Sequence, residues 1–496
     1  MRRIKPSKKC RGDSTVSRSS EKQRGKPQNG ALRPNILFII ADDLNYRTIH
    51  ALNNPEIHTP NLDRLVAQGT TFTHCFHQGS WSSAVCIASR TMLYTGYTTF
   101  KARQYAETAP LWVETLTKAG YDTHIVGKWH LSRHNLKRSF ATTGPIGPPG
   151  MFVSTTSSRE AYNRPAPGNT WQPWDKSRKG HWVPAPDWMT KNTSGKADPV
   201  VHSNDIWTNA AVDFLAGRGG QTAPFMLCIG SYLPHDPRQA PKHFFDLYPP
   251  AKISVPPNYL PCHPFDLGDY TVRDERLAPF PRTQQAVQQH RSEYYAVITK
   301  LDADIGRVLS ALDQSGQAEN TIVIVTSDHG LAVGEHGLMG KQNLYDCSVR
   351  MPLIIRGPGI AQGKLLDAMV YQHSIYPTVC ELAAVDVPPC VEFPSLAGML
   401  RGENTVKHDV MFCRYRDLQR SVRTRRYKLI VYPQINLIQL FDLLNDPWET
   451  ANLAQSPEYA QVKRKLMAKL GRLQKQLGDP LSPLSVADEP DGVKEN

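Results

Sequence analysis

Short apolar runs alternate with longer amphipathic segments over roughly the first 400 residues of the chain. Each run is long enough for one buried strand, and the amphipathic segments repeat their apolar residues at helical spacing. The predicted strands are residues 35–41, 72–76, 122–126, 225–231, 321–326 and 352–356. The predicted helices are residues 60–68, 86–96, 110–119, 203–216, 284–312 and 373–384. This alternation is typical of an α/β domain.

The pattern changes after about Leu400, where the apolar runs become shorter and follow one another directly. Residues 410–413, 421–423, 426–432 and 439–443 are predicted to be short antiparallel strands, and residues 458–477 one helix. We therefore divide the chain into a main domain, residues 34–400, and a C-terminal α+β subdomain, residues 401–482, with one small sheet and one helix. The terminal segments, residues 1–33 and 483–496, are poor in apolar residues and are expected to be disordered.

The charge of the chain is concentrated in the first of these terminal segments. Residues 1–33 contain eleven basic and two acidic residues, so they carry most of the formal net charge of +13. The charge of the remaining body therefore gives no reason to expect a nucleic-acid partner. No apolar run reaches the ~18 residues of a membrane-spanning helix. The basic start lacks the apolar core of a signal peptide, and the cellular location stays open.

Carboxylates follow two of the predicted strands. Asp42 and Asp43 end the strand that begins at residue 35, and Asp328 follows the strand at residues 321–326, just before His329. Ligands bind at the carboxyl ends of strands in open α/β sheets, and adjacent carboxylates repel each other unless a cation joins them. These residues therefore suggest a metal site. For the pair Asp42 and Asp43, an Asx turn after the strand is the alternative.

Cys86 begins a predicted helix immediately after a polar loop. The start of a helix has positive potential and free backbone N–H groups, which suit a nucleophile that handles an anion. Arg90 lies one helical turn later, on the same face. Without further context, a small buried cysteine near a surface arginine is the simpler interpretation.

Three more candidate groups follow strands. Lys128 and His130 come after the strand at residues 122–126, and on an extended segment two such residues face the same side, where both could contact one anion. His235 follows the strand at residues 225–231. Taken alone, the first two residues could equally be a surface lysine and a hydrogen-bonded histidine.

Residues 138–200 show no regular periodicity and are rich in Pro, Gly, Ser and Thr. A segment this long without regular structure is usually functional or disordered. Its tryptophans could stack on sugar rings or surround a cationic leaving group, or they could anchor the segment on the body of the protein. These tryptophans are Trp171, Trp174, Trp182 and Trp188.

The segment Cys86-Ile87-Ala88-Ser89-Arg90 resembles the signature of the type I sulfatases, Cys-x-Pro/Ala-x-Arg. Other segments resemble further blocks of that family in the expected order: TPNLDRLVAQG, GKWHL, PHDP, SDHG, GLAVGEHGLMGKQNLYD and DPWE. The resemblance extends from about Asn35 to about Leu453. It implies an alkaline-phosphatase-like fold, in which a large mixed sheet is sandwiched by helices. Ala88 stands where most members have proline.

The resemblance also implies the chemistry of the site. In this family a maturation enzyme oxidises the signature cysteine to formylglycine, whose hydrate attacks the sulfate ester. The implied metal ligands are Asp42, Asp43, Cys86 as formylglycine, Asp328 and His329, and Ca²⁺ is expected rather than Mg²⁺. The other implied catalytic residues are Arg90, Lys128 and Lys341, which bind the sulfate, His130, which contacts the formylglycine, and His235, which with Lys341 protonates the leaving alcohol.

We therefore expect a sulfatase, and we favour a sulfated carbohydrate over a small aryl sulfate or choline sulfate as its substrate. The maturation enzyme is expected as a transient partner, and neither a nucleic acid nor a membrane span is expected. Two alternatives stay open. One is a phosphodiesterase or phosphonate monoester hydrolase of the same superfamily, and the other is a non-catalytic glycan-binding protein, if Cys86 is not converted.

Overall fold

The computed structural model describes residues 33–147, 152–153, 201–236, 238–278, 280–403 and 408–481. Apart from Arg33, the two terminal segments that are expected to be disordered lie outside the described residues, and so do the four tryptophans of residues 138–200. Within the described part of the chain, no helix combines the length and the apolar character needed to cross a membrane.

The described strands fall mainly into two sheets. In chain order they are β1 (Asn35–Asp42), β2 (Thr70–Phe76), β3 (Gly79–Ser80), β4 (Asp122–Gly127), β5 (Thr142–Ile146), β6 (Phe152–Val153), β7 (Val201–His202), β8 (Phe225–Pro234), β9 (Thr321–Ser327), β10 (Arg350–Arg356), β11 (Lys364–Tyr371), β12 (Met411–Tyr415), β13 (Gln419–Arg423), β14 (Tyr427–Tyr432) and β15 (Leu437–Asp442). The larger sheet has the order β11-β2-β10-β9-β1-β8-β4-β5. It is mixed, because β10 is antiparallel to β9 and β2 whereas β1, β8, β9 and β4 are joined by parallel pairings.

Helices cover both faces of this sheet, as the sequence predicts. In chain order they are α1 (Pro60–Gln68), α2 (Val85–Thr95), α3 (Thr99–Gln104), α4 (Trp112–Lys118), α5 (Arg133–Ser139), α6 (Ser203–Ala216), α7 (Lys242–Asp246), α8 (Gln284–Gln314), α9 (Asp346–Val349), α10 (Ile375–Leu382), α11 (Ala397–Leu400) and α12 (Ala460–Leu477). Every residue of β1 is buried. Leu37 and Ile39 pack with α1, α6 and α8 on one face, and Ile36 and Phe38 pack with α2, α4 and α10 on the other. A strand buried on both faces is why β1 is apolar throughout rather than alternating.

The smaller sheet has the order β15-β14-β13-β12-β3, and α12 packs on it through Leu466 and Leu470. Its consecutive C-terminal strands are antiparallel, as expected. One strand comes from elsewhere in the chain, because β3 pairs in parallel with β12, Gly79 opposite Arg414. The two-residue strand just before the Cys86 helix is thus a structural part of the C-terminal sheet.

Some elements lie where the hydrophobic pattern predicts no regular structure. Strand β5 lies within residues 138–200, and helix α5 overlaps the start of this segment. The start of α5 is stabilised by Ser132, whose side chain accepts a hydrogen bond from the Asn135 N–H. Strand β11 lies at the edge of the large sheet, and its side chain Leu365 is 56% exposed. Edge strands and short capped helices bury few apolar residues, so their hydrophobic signal in the sequence is weak.

Candidate active site

The carboxylates of the two predicted strand ends meet at one edge of the large sheet. β1 and β9 are parallel neighbours with Ala41 opposite Ser327, so Asp42, Asp43 and Asp328 emerge side by side. The Asp43 N–H donates to Asp328 Oδ1 at 3.4 Å, and Asp43 itself has a positive φ of 74°. All three side chains are buried. The carboxylates that the sequence places at strand ends therefore form one cluster.

His329 lies against all three carboxylates. Its Nε2 is 3.9 Å from Asp42 Oδ1 and 3.5 Å from Asp328 Oδ1, and its Nδ1 is 3.2 Å from Asp43 Oδ1. Burial lowers the pKa of His329 to about 3, so the ring is neutral at neutral pH. Nδ1–H donates to the Gly330 carbonyl at 3.0 Å, which leaves the lone pair of Nε2 directed at carboxylate oxygens.

Cys86 is the second residue of α2 and reaches the same cluster. One ligand atom from each of four residues lies within 4.8 Å of the others, and these residues are Asp42, Cys86, Asp328 and His329. The thiol is buried, and burial raises its pKa to about 12. At neutral pH Cys86 is therefore a protonated thiol, which is a poor nucleophile.

Three buried cations surround the cluster, one for each carboxylate. Arg90 Nε donates to Asp328 Oδ2 at 2.8 Å. Lys341 Nζ lies 2.7 Å from Asp43 Oδ1, and Lys128 forms an ion pair with Asp42. Arg90 also donates from Nη1 to the Lys128 carbonyl at 3.1 Å. Because each carboxylate lies beside one basic side chain, the attraction within the pairs offsets much of the free-energy cost of burying six ionisable side chains.

The path of the chain after β4 differs from the predicted one. The strand ends at Gly127, and His130 has a φ of 64°, so Lys128 and His130 do not lie on an extended segment. They are nevertheless close enough for their charges to interact. Burial, together with the charges of Lys128 and Arg90, lowers the pKa of His130 to about 2. His130 Nδ1 has no hydrogen-bond partner among the described residues.

The donor set of the cluster fits a divalent cation. Three buried atoms of this cluster have no hydrogen-bond partner among the described residues, namely Asp42 Oδ1, Asp43 Oδ2 and His329 Nε2. Burial raises the pKa of Asp43 to about 7, although Lys341 opposes the shift. Carboxylate oxygens are the ligands that Ca²⁺ and Mg²⁺ prefer, and imidazole is a softer donor. The residues present could therefore hold one hard divalent cation.

His235 lies at the end of β8 and is held by its neighbours. Its Nδ1–H donates to the Asp236 carbonyl at 2.5 Å, and its Nε2 accepts a hydrogen bond from Arg273 Nη2 at 3.0 Å. Burial, with the charges of Lys341 and Arg273, lowers the pKa of His235 well below its ordinary value. His235 is therefore neutral at neutral pH, with its Nε2 lone pair occupied.

Sequence reasoning missed several polar residues of the site. They are Asp236, Arg273, Asp274 and Gln342, which are joined by hydrogen bonds next to His235 and Lys341. Arg273 and Asp274 belong to residues 240–282, where the sequence has no periodicity and no recognisable block. Asp236 and Gln342 had a signal, since each directly follows a candidate residue, His235 or Lys341, in a segment that resembles the sulfatases.

A mixed sheet lies between helices, and carboxylates and a cysteine meet at the carboxyl ends of its strands. The family model for sulfatases matches residues 34–385, and a model described as "N-sulphoglucosamine sulphohydrolase, C-terminal" matches residues 334–476. The chain therefore belongs to the sulfatase family, and it is a sulfuric ester hydrolase. The fold class and the enzyme class predicted from the sequence are both confirmed.

Named relatives match almost the whole chain. A sulfatase from Formosa agariphila is 30% identical, and the match covers 88% of this chain and 86% of the relative. A choline-sulfatase from Rhizobium meliloti is 29% identical, with 86% and 83% covered.

Solved structures share the fold. One, in complex with its substrate D-glucosamine-2-N,6-O-disulfate, is 23% identical with a TM-score of 0.68, and covers 90% of this chain and 99% of its own. The phosphonate monoester hydrolase of Agrobacterium radiobacter is 21% identical with a TM-score of 0.69, with 90% and 96% covered.

Proposed function

We propose that the enzyme hydrolyses a sulfate ester of a carbohydrate by means of a formylglycine made from Cys86 and one bound divalent cation, Ca²⁺ in preference to Mg²⁺. The observation that carries this proposal is the position of Cys86. Its sulfur lies within 4.8 Å of ligand atoms of Asp42, Asp328 and His329, although Cys86 comes from a helix and the others from two strand ends. A protonated, buried thiol has no evident use there, whereas a hydrated aldehyde at the same position would supply the nucleophilic oxygen.

The proposed cation ligands are Asp42, Asp43, Asp328, His329 and the matured residue 86. Ligand atoms of four of them, all but Asp43, lie within 4.8 Å of one another, and Asp43 has an unpartnered oxygen and lies equally close to Asp42. When bound, the cation supplies positive charge that polarises the sulfate and favours an oxygen nucleophile. Arg90 and Lys341 add two further positive charges around the same point, and Lys128 adds a partial one, because burial lowers its pKa to about 7. Fixed charges in a site that excludes water stabilise the charge that develops on the sulfate oxygens.

The proton for the leaving alcohol is proposed to come from Lys341. Burial disfavours the charged amine, but Asp43 and Asp274 hold the pKa of Lys341 above its ordinary value, so Nζ carries protons at neutral pH. His235 is neutral, and its Nε2 already accepts a hydrogen bond from Arg273. His235 would therefore line the leaving-group side of the site next to Lys341 rather than deliver the first proton itself.

His130 is proposed to take the proton from the second hydroxyl of the hydrate. Its Nδ1 is without a hydrogen-bond partner among the described residues. Burial and the charges of Lys128 and Arg90 lower its pKa to about 2, and a bound sulfate would offset these two charges and make the ring a stronger base. A neutral imidazole with an available nitrogen can accept a proton when the intermediate breaks down. The release of sulfate would then restore the aldehyde.

A carbohydrate leaving group is supported by the relatives. An N-acetylglucosamine-6-O-sulfatase from Bacteroides thetaiotaomicron is 25% identical over 90% of this chain. The choline-sulfatase shows that a related chain can serve a different leaving group. The identity of the ester must therefore come from residues at the mouth of the site rather than from the shared cluster.

Mass spectrometry of the purified protein tests the maturation directly. Trypsin cleaves after Lys and Arg, and residues 65–89 contain neither. It should therefore cut after Arg64 and after Arg90 and release residues 65–90 as one peptide. We expect Cys86 in this peptide to be replaced by an aldehyde, while Cys75 in the same peptide keeps its thiol. A peptide with two thiols from fully active enzyme would contradict the proposal.

Kinetics test the reaction. Cys86→Ala should abolish hydrolysis of an aryl sulfate, and Cys262→Ala, which changes an exposed cysteine, is the matched control and should retain it. Parallel assays with a phosphodiester and a phosphonate monoester separate sulfatase activity from that of the superfamily relative. Turnover of the Cys86→Ala variant at the wild-type rate would overturn the proposed mechanism. A higher kcat/KM for the phosphorus esters would overturn the proposed substrate class.

A further inference from the structure

Arg273 lies beside the proposed leaving-group side of the site. It directly precedes a short 3-10 turn at Asp274–Leu277. Its Nη2 donates to Asp236 Oδ1 at 2.7 Å, to Asp274 Oδ1 at 2.6 Å and to His235 Nε2 at 3.0 Å. Its Nε also donates to Asp274 Oδ1 at 2.9 Å. The guanidinium is therefore fixed within hydrogen-bond distance of the histidine that we place on that side.

The support beneath Arg273 connects it to the catalytic residues. Asp274 Oδ2 accepts a hydrogen bond from Gln342 Nε2 at 2.6 Å, and Gln342 Nε2 also donates to the Ser83 carbonyl at 3.0 Å. Ser83 lies three residues before Cys86, and Gln342 follows Lys341. A guanidinium held by buried carboxylates keeps its position with little loss of side-chain entropy on binding.

The charge that this cluster presents to solvent is positive. The side chain of Arg273 is 36% exposed, whereas Asp236 and Asp274 are 2% and 6% exposed beneath it. His235 and Gln342 are buried as well. Of these five residues, the one that an incoming leaving group meets is therefore the arginine.

We propose that Arg273 determines substrate specificity by binding an anionic substituent, a carboxylate or a second sulfate, on the same saccharide that carries the scissile sulfate ester. This inference rests on the proposed function, because the position of the ester is defined by His235 and Lys341. The guanidinium lies 3.0 Å from His235 Nε2, so it reaches groups on the sugar ring that bears the ester oxygen. The positive charge of the exposed Arg273 side chain attracts carboxylate and sulfate oxygens at this distance.

The same geometry disfavours a cationic leaving group. Choline would place a quaternary ammonium near the guanidinium, and the carboxylates that could attract it are covered by Arg273. Like charges in a partly desolvated site repel each other. The expected order of substrates is therefore anionic saccharide sulfate first, neutral saccharide sulfate second and choline sulfate last.

Two sugars with the same scissile ester test the proposal. D-glucosamine-2-N,6-O-disulfate carries a charged group on nitrogen, and N-acetylglucosamine-6-O-sulfate carries a neutral one. We expect Arg273→Gln to lower the ratio of kcat/KM for the first sugar over the second by about tenfold or more, the value of one charged hydrogen-bonded contact. Arg273→Lys, which keeps the charge without the fork, should give an intermediate ratio.

Arg276→Gln is the matched control, because Arg276 is an exposed arginine of the same 3-10 turn, with its Nε bonded to the Thr271 carbonyl. Its ratio should equal that of the wild type. If Arg273→Gln left the ratio unchanged, or reduced kcat/KM for both sugars in equal proportion, Arg273 would only position His235 and Asp274, and the proposal would be wrong. If Arg273→Gln does not fold, Arg273→Lys replaces it in this test, and a ratio equal to that of the wild type would then contradict the proposal.

Calorimetric titration of both sugars into Cys86→Ala protein, with and without Arg273→Gln, separates this inference from the proposed function. If binding of the disulfate depended on Arg273 while the wild-type protein hydrolysed no sulfate ester, the inference would be supported and the proposed function refuted. If the wild-type protein hydrolysed sulfate esters but the preference for the disulfate did not depend on Arg273, the proposed function would be supported and the inference refuted. If Cys86→Ala protein bound neither sugar, the inference would be overturned.

Discussion

Arg90 Nε donates to Asp328 Oδ2 at 2.8 Å, and neither side chain has any exposed surface. The pair joins α2, whose second residue is Cys86, to the end of β9, which is followed by Asp328 as a proposed cation ligand. Burial alone would raise the pKa of Asp328, but His329 when it is protonated, and the charge of Arg90, hold this pKa below its ordinary value. The ion pair therefore keeps Asp328 ionised and fixes its position relative to Cys86, the proposed nucleophile.

Removal of one partner of this pair should strongly destabilise the fold. We expect Arg90→Ala to lower the free energy of unfolding by about 3–5 kcal/mol, because it leaves a buried carboxylate without its cation. Urea unfolding in the presence of a chelator measures the effect without a contribution from bound metal. The control is Arg64→Ala, which removes an exposed partner 3.9 Å from Asp313 and should change stability by less than about 0.5 kcal/mol. Equal losses in both variants would contradict this account.

Cation binding should stabilise the protein through the same carboxylates. Unpartnered oxygens of Asp42 and Asp43 repel each other in the absence of a cation, so a bound ion favours the folded state. After chelation, addition of Ca²⁺ at a hundred times its Kd should raise the free energy of unfolding by about 2.7 kcal/mol. Thermal unfolding with and without Ca²⁺ or Mg²⁺ measures this gain and ranks the two ions.

Asp42→Asn should abolish most of that gain, because it replaces a charged ligand with a neutral one. Asp313→Asn, which changes an exposed carboxylate outside the site, should show the full gain. If neither ion changed the unfolding temperature of the wild-type protein, the proposed cation site would be wrong. Activity need not be measured for this test.

The position of Cys86, the proposed nucleophile, should depend on the C-terminal sheet through Gly79. This glycine has a φ of 86°, and a Cβ here would overlap the backbone of Arg414 in the neighbouring strand. Gly79→Ala should cost about 1–2 kcal/mol for the left-handed backbone and about 1–3 kcal/mol more for the overlap. The matched control is Gly120→Ala, at a φ of 90° with open space around it, which should show only the first cost.

Kinetics of the same two variants test the functional consequence. Gly79 lies seven residues before Cys86, so the displacement of β3 from β12 should also move the start of α2. We expect Gly79→Ala to lose kcat and Gly120→Ala to retain it. Retention of full kcat in a folded Gly79→Ala protein would show that the C-terminal sheet does not position the nucleophile.

The elements that build the site were predictable where burial on both faces leaves a long apolar run. β1 and β9 are such runs, and their acidic ends were correctly expected at the edge of a sheet. What the sequence could not show is that β1 and β9 are neighbours with Ala41 opposite Ser327, because strand order is set by contacts far apart in the chain. The placement of Asp42, Asp43 and Asp328 in one site came instead from the resemblance of the motifs to the sulfatase family.

Other parts of the site had no local signal at all. Arg273 is positioned by Asp236 and Asp274, and these contacts depend on how an irregular segment folds over β8. β3 has two residues, too few for any periodicity, and its register is set by the close approach of Gly79 to Arg414. Single polar contacts and backbone approaches of this kind follow from the tertiary structure rather than from the hydrophobic pattern.

Acid should destabilise the protein in part through His202, the residue that precedes α6. Its Nδ1 accepts a hydrogen bond from the Asn204 N–H at 3.2 Å, and its Nε2–H donates to the Gln239 carbonyl at 2.9 Å. Burial, with the charge of Lys300, lowers the pKa of His202 to about 3 from an ordinary value of 6.5. Protonation would place a proton on Nδ1 and break the bond that caps the helix.

The sign of the effect follows from proton linkage. Between about pH 3 and pH 6.5 the unfolded chain binds a proton at His202 that the folded chain does not, so the free energy of unfolding falls as the pH is lowered through this range. One such group contributes a slope of at most about 1.4 kcal/mol per pH unit. His202→Asn keeps an acceptor for the Asn204 N–H but removes the titration, so its stability should fall less steeply between pH 6.5 and pH 5. Urea unfolding at several pH values, with the exposed His134→Asn as control, measures the difference in slope. If His202→Asn and His134→Asn had the slope of the wild-type protein, His202 would not be buried in its neutral form, and the cap at the start of α6 would have to be assigned to another group.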